Sequence, residues 1–464
     1  MATLTDLQRA YNALSAKATP YQTLWAYYDG DQPLRYANPN LKTKFRKLVE
    51  HFTANWCAVV VDSLTDRLDL SGLSHEDEGL ATALATAWDA AEMDVEAEEV
   101  HKAVGVTGEG FLVADVDDEG ATVLFSNPPE ICHVFYESSN PKRKRFAAKW
   151  WVDEYDDRRY LTLYYPDRIE DYVSKRKADN VQSANAFEPT EDGTRANPFA
   201  PTIPVFHFRR DRRSGKGELQ NVVDLQDAFN KLFADMMMAS EFGAFKQRYV
   251  ISNADTATLK NAPNEIWEIP AGEPGEQPTT VGQFDATELA NFTAAMDFVA
   301  NKVAVVTRTP KHYLFATGGD PSGEALLVAE SGLVKKATSY QRRLDPVWVE
   351  VATFLLARGG YTTDRASVKV TWNDARTVQP LAEGQARQLA IAAGIPLEFW
   401  LEHREGWTPD EIKDMSNAAA EAQAKQSLSM GEAMVRAMRD FNGGGNGTMP
   451  EEEGVAAPTV PAGG

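Results

Sequence analysis

A glycine-rich segment at residues 318–323, GGDPSG, has the composition of a phosphate-binding loop. Such a loop binds a nucleotide only when a lysine and a serine or threonine follow its last glycine. The lysine contacts the β- and γ-phosphates, and the hydroxyl holds Mg²⁺. Here Glu324 and Ala325 follow instead, and the GKG of residues 215–217 also lacks the required spacing. The sequence therefore predicts no nucleotide site in either segment.

Two acidic clusters have the residue types of a cation site. The DVDDEG of residues 115–120 matches the beginning of an EF-hand loop, but Ser126 stands at the twelfth position, which requires a bidentate glutamate. The acids of residues 153–157 are Mg²⁺ ligands of the kind that a nuclease uses. A catalytic site needs groups that converge on one point, whereas these acids follow a strand directly. We therefore favour a hairpin for the first cluster and a solvated turn for the second.

Histidine and cysteine indicate neither a metal site nor a disulfide framework. None of the seven histidines forms the HxxxH or HExxH pattern of a zinc site, and His51 and His207 lie in apolar patterns typical of packed or surface residues. Cys57 and Cys132 are the only cysteines. Two cysteines in a chain of this length favour a reducing compartment, and no cofactor is predicted.

Basic residues are concentrated at 142–145 (KRKR) and at Lys42, Lys44, Arg46 and Lys47. Either group could contact nucleic acid, but for both we favour a solvated surface, a loop ahead of a strand in the case of 142–145. The whole chain carries 47 basic and 68 acidic residues, a net charge of −21. A surface that acidic does not bind nucleic acid by charge, although it suits a polyanion that slides past with weak adhesion.

The chain of 464 residues is long enough for two to four domains. Its first 21 residues are amphipathic without the apolar core of a signal peptide, and we find no apolar run near the roughly 18 residues that span a bilayer. We therefore expect a soluble protein made in the cytoplasm, with no membrane contact.

Helical periodicity dominates the first hundred residues, and strand patterns follow. We predict helices over 3–28 and 77–106, and between them a helix with Phe45, Leu48, Val49, Phe52 and Trp56 on one face. Residues 111–210 alternate as antiparallel strands, with a hairpin turn at 117–120. The polar stretch 177–201 is predicted to be a surface loop, without regular structure.

The sequence of the second half of the chain predicts three long helices and a small β unit between the first two of them. The first begins near Glu218, and the three consecutive methionines at 236–238 are predicted to pack between helices. A strand-and-turn unit covers 246–284, and Asp285 is a predicted cap of the second helix. The third runs from Ser322 to about 358, with a bend expected from Gly332 and Pro346.

The C-terminal region is predicted to contain one strand and several helices. The strand is SVKVTWND, residues 367–374. Residues 380–441 read as helices with breaks at 394–396 and 406–409. The tail, 442–464, has the Gly/Pro-rich and acidic composition of a disordered segment. The predicted fold class is α+β.

Taken in order, these stretches resemble the portal proteins of tailed bacteriophages, in particular the SPP1 portal-like family. No single motif is diagnostic, but the ordered set is specific. It covers about residues 1–440 and comprises WAYYDGDQPLRY, KLVEHFTANWCAVVVDSLTDRL, GEGFLVADVDDEGATVLFSNPPEICHVFYE, GKGELQNVVDLQDAFNKLFADMMMASEFGAFKQRYV, TPKHYLFATGGDPSGEALLVAESGLVKKA and GIPLEFWLEHREGWTPDEI.

The resemblance implies a portal-protein fold with a mixed α/β wing, a two-helix stem, a small β-containing clip, a long bent wing helix and a helical crown. The implied parts are the wing (1–217), first stem helix (218–245), clip (246–284), second stem helix (285–308), tunnel loop (309–323), long wing helix and strand (324–379), crown (380–441) and tail (442–464).

The resemblance also implies a function without catalysis. Twelve copies would form a ring at one capsid vertex, in the virion, and double-stranded DNA would pass through it during packaging and ejection. The implied partners are further copies of this chain, the DNA, the large terminase, a head–tail adaptor, and the major capsid and scaffolding proteins. The residues implied to face the channel are Lys311, His312, Thr317, Gly318, Gly319, Asp320 and Ser322, with Lys335 and Lys336 as further options.

Two other functions remain open at this point. One is a Mg²⁺-dependent enzyme that processes nucleic acid, which the missing phosphate loop and the scattered acids disfavour. The other is a different ring-forming head–tail connector, a class whose chains are usually much shorter.

Overall fold

The computed structural model describes residues 5–32, 35, 54–213, 215–244, 248–251, 280–285, 288–315, 322–376, 380–405, 407, 412–421, 425 and 433–435. The chain divides into two compact units, residues 1–377 and residues 378–464. The structure contains both helices and sheets, in agreement with the predicted α+β fold class.

The helices of the first unit are, in chain order, α1 (Asp6–Asp29), α2 (Trp56–Thr65), α3 (Glu78–Ala90), α4 (Met93–Thr107), α5 (Val223–Ala244), α6 (Leu289–Thr307), α7 (Lys311–Leu314) and α8 (Gly323–Arg358). Local sequence explains the ends of α1. Thr5 and Gln8 form a reciprocal capping box at its start, and Gly30 ends it with φ +83°, a conformation that glycine adopts without steric cost.

The strands of the first unit are β1 (Leu70–His75), β2 (Glu109–Val116), β3 (Thr122–Asn127), β4 (Cys132–Glu137), β5 (Asn140–Val152), β6 (Arg158–Tyr164), β7 (Arg168–Lys177), β8 (Phe187–Ala196), β9 (Val205–Arg209), β10 (Arg248–Ile251), β11 (Thr280–Gln283) and β12 (Val368–Trp372). Their sheets have the orders β3-β2-β9, β4-β5-β6-β7-β8, β1-β12 and β10-β11, and every pairing is antiparallel.

The antiparallel region predicted over 111–210 is confirmed, and so is the hairpin at 117–120. Asp117 Oδ1 accepts hydrogen bonds from the backbone N–H groups of Glu119 and Ala121, which closes the turn between β2 and β3. The prediction of a surface loop over 177–201 was wrong for residues 187–196. Residues 187–196 form β8, which pairs with β7 from Arg168↔Ala196 to Ser174↔Phe187. Backbone pairing with a neighbouring strand stabilises this polar segment, although its composition suggests a loop.

Two further predictions in the N-terminal region needed correction. The single helix predicted over 77–106 is two helices, because the chain turns at Ala91 and Glu92, and Glu92 adopts a left-handed conformation with φ 49°. Helix α2 begins at Trp56, with Asn55 as its cap, and residues 42–53 of the predicted helix lie outside the described residues. The sequence patterns also missed β1, which pairs with β12 across some 300 residues of chain.

The long helices lie close to their predicted positions. A short 3-10 turn at Leu219–Asn221 leads into α5, near the predicted start at Glu218. Helix α6 begins at Leu289 with Glu288 as its cap residue, so the cap predicted at Asp285 was wrong. Helix α8 contains Pro346, ends at Gly359 and covers the predicted range.

Among the described residues of the first unit, four apolar clusters form the core. The largest joins α3, α4, β1, β12 and the sheet of β2 and β9 to one face of α8, with Trp348 fully buried. The second packs α1, α2 and α4 against α5 and α6. The third lies between α1 and the five-stranded sheet, and the fourth between the two larger sheets. The predicted packing between helices is confirmed for Met236, which packs against the second apolar cluster, and Met238 is buried.

Part of the predicted β unit at 246–284 is described. Strands β10 and β11 pair in register from Arg248↔Gln283 to Ile251↔Thr280. The residues between them, 252–279, lie outside the described part of the chain, as do 42–47, the tail at 442–464 and most of 406–411.

The described elements of the second unit are helices. Its elements are α9 (Pro380–Ala392), α10 (Leu397–Trp400) and a π-helical turn (Leu401–Glu405). The break predicted at 394–396 is confirmed, since Gly394 has φ +91° between α9 and α10.

Among the described helices, α6 alone is long and apolar enough to cross a membrane by length and composition. The expectation that no segment approaches this limit was therefore wrong for α6. One side of the helix is buried in the second apolar cluster through Met296, Val299, Ala300 and Val303.

Candidate functional site

The residues implied to face the channel lie between α6 and α8. Lys311 and His312 are on α7, and Ser322 caps α8, where its Oγ accepts a 3.3 Å hydrogen bond from the Ala325 N–H. Ser322 is therefore the N-cap of α8. Thr317, Gly318, Gly319 and Asp320 lie outside the described residues.

The two basic residues on α7 have acidic partners within the chain. Lys311 Nζ lies 2.8 Å from Asp297 Oδ1 on α6, and His312 Nε2 lies 3.9 Å from Glu330 Oε1 on α8. Both side chains are about 30 % exposed, so they also remain in contact with solvent. These pairs connect α7 to the helices that precede and follow it.

Glu330 is the centre of a hydrogen-bond network beneath α7. Its Oε1 accepts a 3.0 Å hydrogen bond from the Tyr313 hydroxyl, and its Oε2 lies 3.3 Å from Arg67 Nη2. Arg67 also donates to the Tyr313 hydroxyl, at 3.1 Å, and to the Ser63 carbonyl, at 2.9 Å. Burial raises the pKa of Tyr313; Arg67 opposes that rise and Glu330 adds to it. One carboxylate therefore ties α7, α8 and the end of α2 together.

Lys336 does not face solvent, which corrects the expectation that it lies toward DNA. Only 7 % of the residue is exposed, and its Nζ donates to the Thr307 carbonyl at 2.6 Å and lies 3.2 Å from Glu218 Oε2. Burial lowers the pKa of Lys336, and Glu218 opposes that shift. Lys335, the preceding residue, is exposed.

Sequence reasoning missed Glu330 and Glu218, although one signal for the first was present. The buried face of α8 is marked by Leu333, Ala337, Tyr340 and Leu344, spaced three or four residues apart. Glu330 and Lys336 continue this stripe, so both charges fall on the core side of the helix. A charged residue on such a stripe requires a buried partner, and for Glu218 the sequence carried no comparable signal.

A second buried ionic group lies between α1 and the sheets. Glu109, on β2, accepts from Lys17 Nζ and the Tyr21 hydroxyl through Oε1, both at 2.9 Å, and its Oε2 lies 2.9 Å from His207 Nε2. Burial opposes the ionisation of Glu109, but Lys17 and His207 outweigh it and hold its pKa well below the usual range. Burial lowers the pKa of His207 to about 4, against the pull of Glu109. His207 is therefore a packed residue, one of the two alternatives for it.

The acids at 153–157 form a turn between β5 and β6. Asp153 and Asp156 accept hydrogen bonds from the backbone N–H groups of Tyr155 and Arg158, and Asp157 pairs with Lys177 at 2.9 Å. This is the solvated turn that the sequence favoured. Across the described part of the chain, no three His, Cys, Asp or Glu side chains lie together in a way that could hold a metal ion.

The basic run at 142–145 lies within strand β5, so the prediction of a loop was wrong. Arg143 pairs with Glu137 at 3.2 Å, Lys144 with Glu350 at 2.6 Å and Arg145 with Asp6 at 3.4 Å. The Lys144 amine is also a donor to the Val205 carbonyl. These charges bind acids of the same chain, and Lys144 connects β5 to α8.

Helices α5 and α6 follow one another in the chain, with β10 and β11 between them, and pack together in the second apolar cluster. The side of α6 opposite the second apolar cluster bears Phe298, Lys302 and Val305, at helical spacing. Phe298 is 61 % exposed and Val305 77 % exposed in the single chain. We call this row of three residues the α6 stripe.

Comparisons with known proteins agree with this architecture. The family model described as "Phage portal protein, SPP1 Gp6-like" matches residues 8–426. The portal protein of Mycobacterium phage L5 is 24 % identical over 387 residues, which is 78 % of this chain and 76 % of the relative. The portal protein of Mycobacterium phage D29 is 36 % identical over 110 residues, 23 % of each chain.

The matched region includes α5, α6, α7, α8 and the described part of the second unit up to residue 426. Proteins of the matched family are structural components of the virion without enzymatic activity, and they act in phage capsid assembly as oligomers. Because the family model extends over most of the sequence, the chain belongs to the SPP1 Gp6-like family of phage portal proteins.

Proposed function

We propose that this chain forms a dodecameric ring at one vertex of the capsid. The ring is the channel through which double-stranded DNA is packaged and later ejected. The terminase docks on it during packaging, and head–tail connector proteins replace the terminase afterwards. Family membership and the order of helices around the β10–β11 pair support this proposal.

The parts of the subunit are proposed with the boundaries that the resemblance implies. The wing is 1–217, the stem helices are 218–245 and 285–308, and the clip between them is 246–284. The tunnel loop is 309–323, the long wing helix and strand are 324–379, and the crown is 380–441. In this arrangement α5 and α6 are the stem, and β10 and β11 begin and end the clip.

The observation that carries the proposal is the α6 stripe. Phe298 and Val305 expose large apolar side chains on a helix whose other side is buried within the chain. Two large exposed apolar side chains on one side of a helix, with Lys302 between them, suit a surface that a partner covers. A second copy of the chain is the partner proposed, because a closed ring requires each subunit to present one surface to a different surface of its neighbour.

The channel is proposed to contact DNA without reading its bases. Its lining would include Lys311, His312, Thr317, Gly318, Gly319, Asp320, Ser322 and the exposed Lys335. The chain's net charge of −21 keeps phosphates from adhering, since counterion-driven attachment needs many unpaired basic groups. Lys311 lies beside Asp297 and His312 beside Glu330, and these acidic neighbours weaken the attraction of both residues for phosphate.

Negative-stain electron microscopy and native mass measurement of the purified full chain test this proposal. We expect rings with a central hole and a mass of twelve chains of 51.2 kDa each. A protein that stays monomeric at every concentration would contradict it. Incubation with Mg²⁺ and either DNA or ATP tests the enzymatic alternative, and we expect no turnover.

A further inference from the structure

The ammonium group of Lys336 joins the two places where the stem helices meet the rest of the subunit. Its Nζ donates to the carbonyl of Thr307, the last residue of α6, at 2.6 Å. The same atom lies 3.2 Å from Glu218 Oε2, directly before the turn that leads into α5. Residues 218 and 307 are far apart in sequence, and one side chain from α8 contacts both.

The signs of these charges match the dipoles of the two helix ends. The C-terminal carbonyls of a helix carry partial negative charge, and Lys336 places a cation at the C-terminus of α6. The N-terminal end carries partial positive charge, and Glu218 places a carboxylate before the first turn leading to α5. The Lys336–Glu218 ion pair therefore places a charge of favourable sign at each of the two helix ends. The pair is favourable only in this orientation.

Further contacts fix Glu218 to its surroundings. Its Oε1 accepts a 2.6 Å hydrogen bond from the Tyr340 hydroxyl and lies 3.2 Å from Arg210 Nη2, at the end of β9. Its backbone N–H donates to the Gly105 carbonyl of α4 at 2.8 Å. Residues from β9, α4, α6 and α8 thus converge on the start of α5. Such a buried group is costly to disturb, because each charge would lose its partner in a medium of low dielectric constant.

We infer that Lys336 is a positioning residue that holds the wing ends of both stem helices to α8, an inference that rests on the proposed stem. We call the contacts of Lys336 with Glu218 and Thr307 the joint. The first 13 residues of α8 extend from the joint toward residue 322, a distance of about 20 Å at the usual helical rise. Glu330 lies in that interval and holds α7. The joint is therefore the fixed end of the helix that leads from the stem to the proposed channel loop.

Hydrogen–deuterium exchange on the purified full chain, in its assembled form, tests this inference. The central variant is Lys336→Met, which keeps the length of the side chain and removes its charge. Lys335→Met is the matched control, because it makes the same change at the adjacent, exposed position. Lys336→Arg restores a cation with donors for both Glu218 and Thr307.

In Lys336→Met we expect the amides of the last turn of α6 and of residues 219–222 to exchange about tenfold faster, which corresponds to about 1.4 kcal/mol of lost local stability. Lys335→Met should leave exchange unchanged, and Lys336→Arg should recover most of the protection. Glu218→Gln, which keeps the shape and the hydrogen bond with Tyr340, should raise exchange at the same two places. It gives an independent test if Lys336→Met does not fold.

Two results would overturn the inference. One is equal exchange at these two helix ends in Lys336→Met, Glu218→Gln and the wild-type chain. The other is a uniform increase that includes the distant β5–β6 pair, since that pattern indicates a general loss of stability. Electron microscopy of the same samples separates the two proposals. A wild-type chain that forms no ring contradicts the proposed function, whereas the exchange comparison bears on the joint alone.

Discussion

The indole Nε1–H of Trp348 donates a 3.1 Å hydrogen bond to Nε2 of His101, and both residues are almost completely buried. The bond joins α4 to α8 within the largest apolar cluster. It requires the imidazole to be neutral, because a protonated Nε2 has no lone pair to accept with. Burial lowers the pKa of His101 to about 4, and a hydrogen bond with the Leu68 backbone opposes that shift only in part.

We predict that the protein loses stability as pH falls from about 6.5 to about 4. In this window the unfolded chain binds protons at positions 101 and 207, whereas the folded chain keeps these histidines neutral. Each shift corresponds to about 3 kcal/mol at its full extent. Urea unfolding at several pH values measures the slope. His101→Gln should reduce the slope, and His312→Gln, a change at a side chain that is 28 % exposed, is the control. A free energy of unfolding that stays constant down to pH 4.5 would contradict the prediction.

The Glu109 network predicts a large cost for removing Lys17. Lys17→Met leaves the buried carboxylate without its cationic partner, and we expect about 3 kcal/mol of lost stability in chemical denaturation. Lys102→Met makes the same change at a more exposed pair with Glu99, where less than about 1 kcal/mol is expected. Similar losses in the two variants would refute a special role for the buried network.

A side chain at Gly217 is predicted to clash with the backbone, and Gly384, which has open space around it, is the control position. A Cβ at position 217 would lie 2.1 Å from the Val106 carbonyl oxygen, and both groups are held by backbone. Gly217→Ala should therefore destabilise the chain by more than about 2 kcal/mol, because the backbone must move. Gly384→Ala, in the middle of α9 with open space around it, should be neutral or slightly stabilising. Thermal unfolding of both variants measures the difference.

The α6 stripe predicts a defect in assembly that leaves the fold of the chain intact. Val305→Asp places a charge where a neighbouring subunit is proposed to pack, so we expect rings to give way to smaller species in mass photometry. Circular dichroism should not change, because Val305 is 77 % exposed in the single chain. Val95→Asp, at a 62 % exposed position on α4, is the matched control and should assemble normally. Intact rings from Val305→Asp would argue against contact through this stripe.

Elements with strong local signals were predicted well. Ser322 and Gly359 mark the ends of α8 because a capping hydroxyl and a glycine act within one helical turn. The hairpin at 117–120 follows from the side chain of Asp117 and its neighbours in the chain. The glycine at 394 marks a break between helices for the same local reason.

Elements that depend on distant partners were missed. Strand β1 exists because β12 supplies its hydrogen bonds, and β8 because β7 does. The basic run at 142–145 was interpreted as a loop because its charges hide the strand pattern, and its acids come from α1, β4 and α8.

The sequence alone determined the long helices, the hairpin at 117–120 and the rejection of a nucleotide loop, because each depends on residue types at short spacing. It indicated the family through the order of such stretches along the chain. Tertiary structure alone decided which charges meet. Lys335 and Lys336 are adjacent in sequence, yet one is in solvent and the other is buried between Glu218 and Thr307. Helical rotation of about 100° per residue separates them, and which side becomes the interior depends on helices far away in the chain.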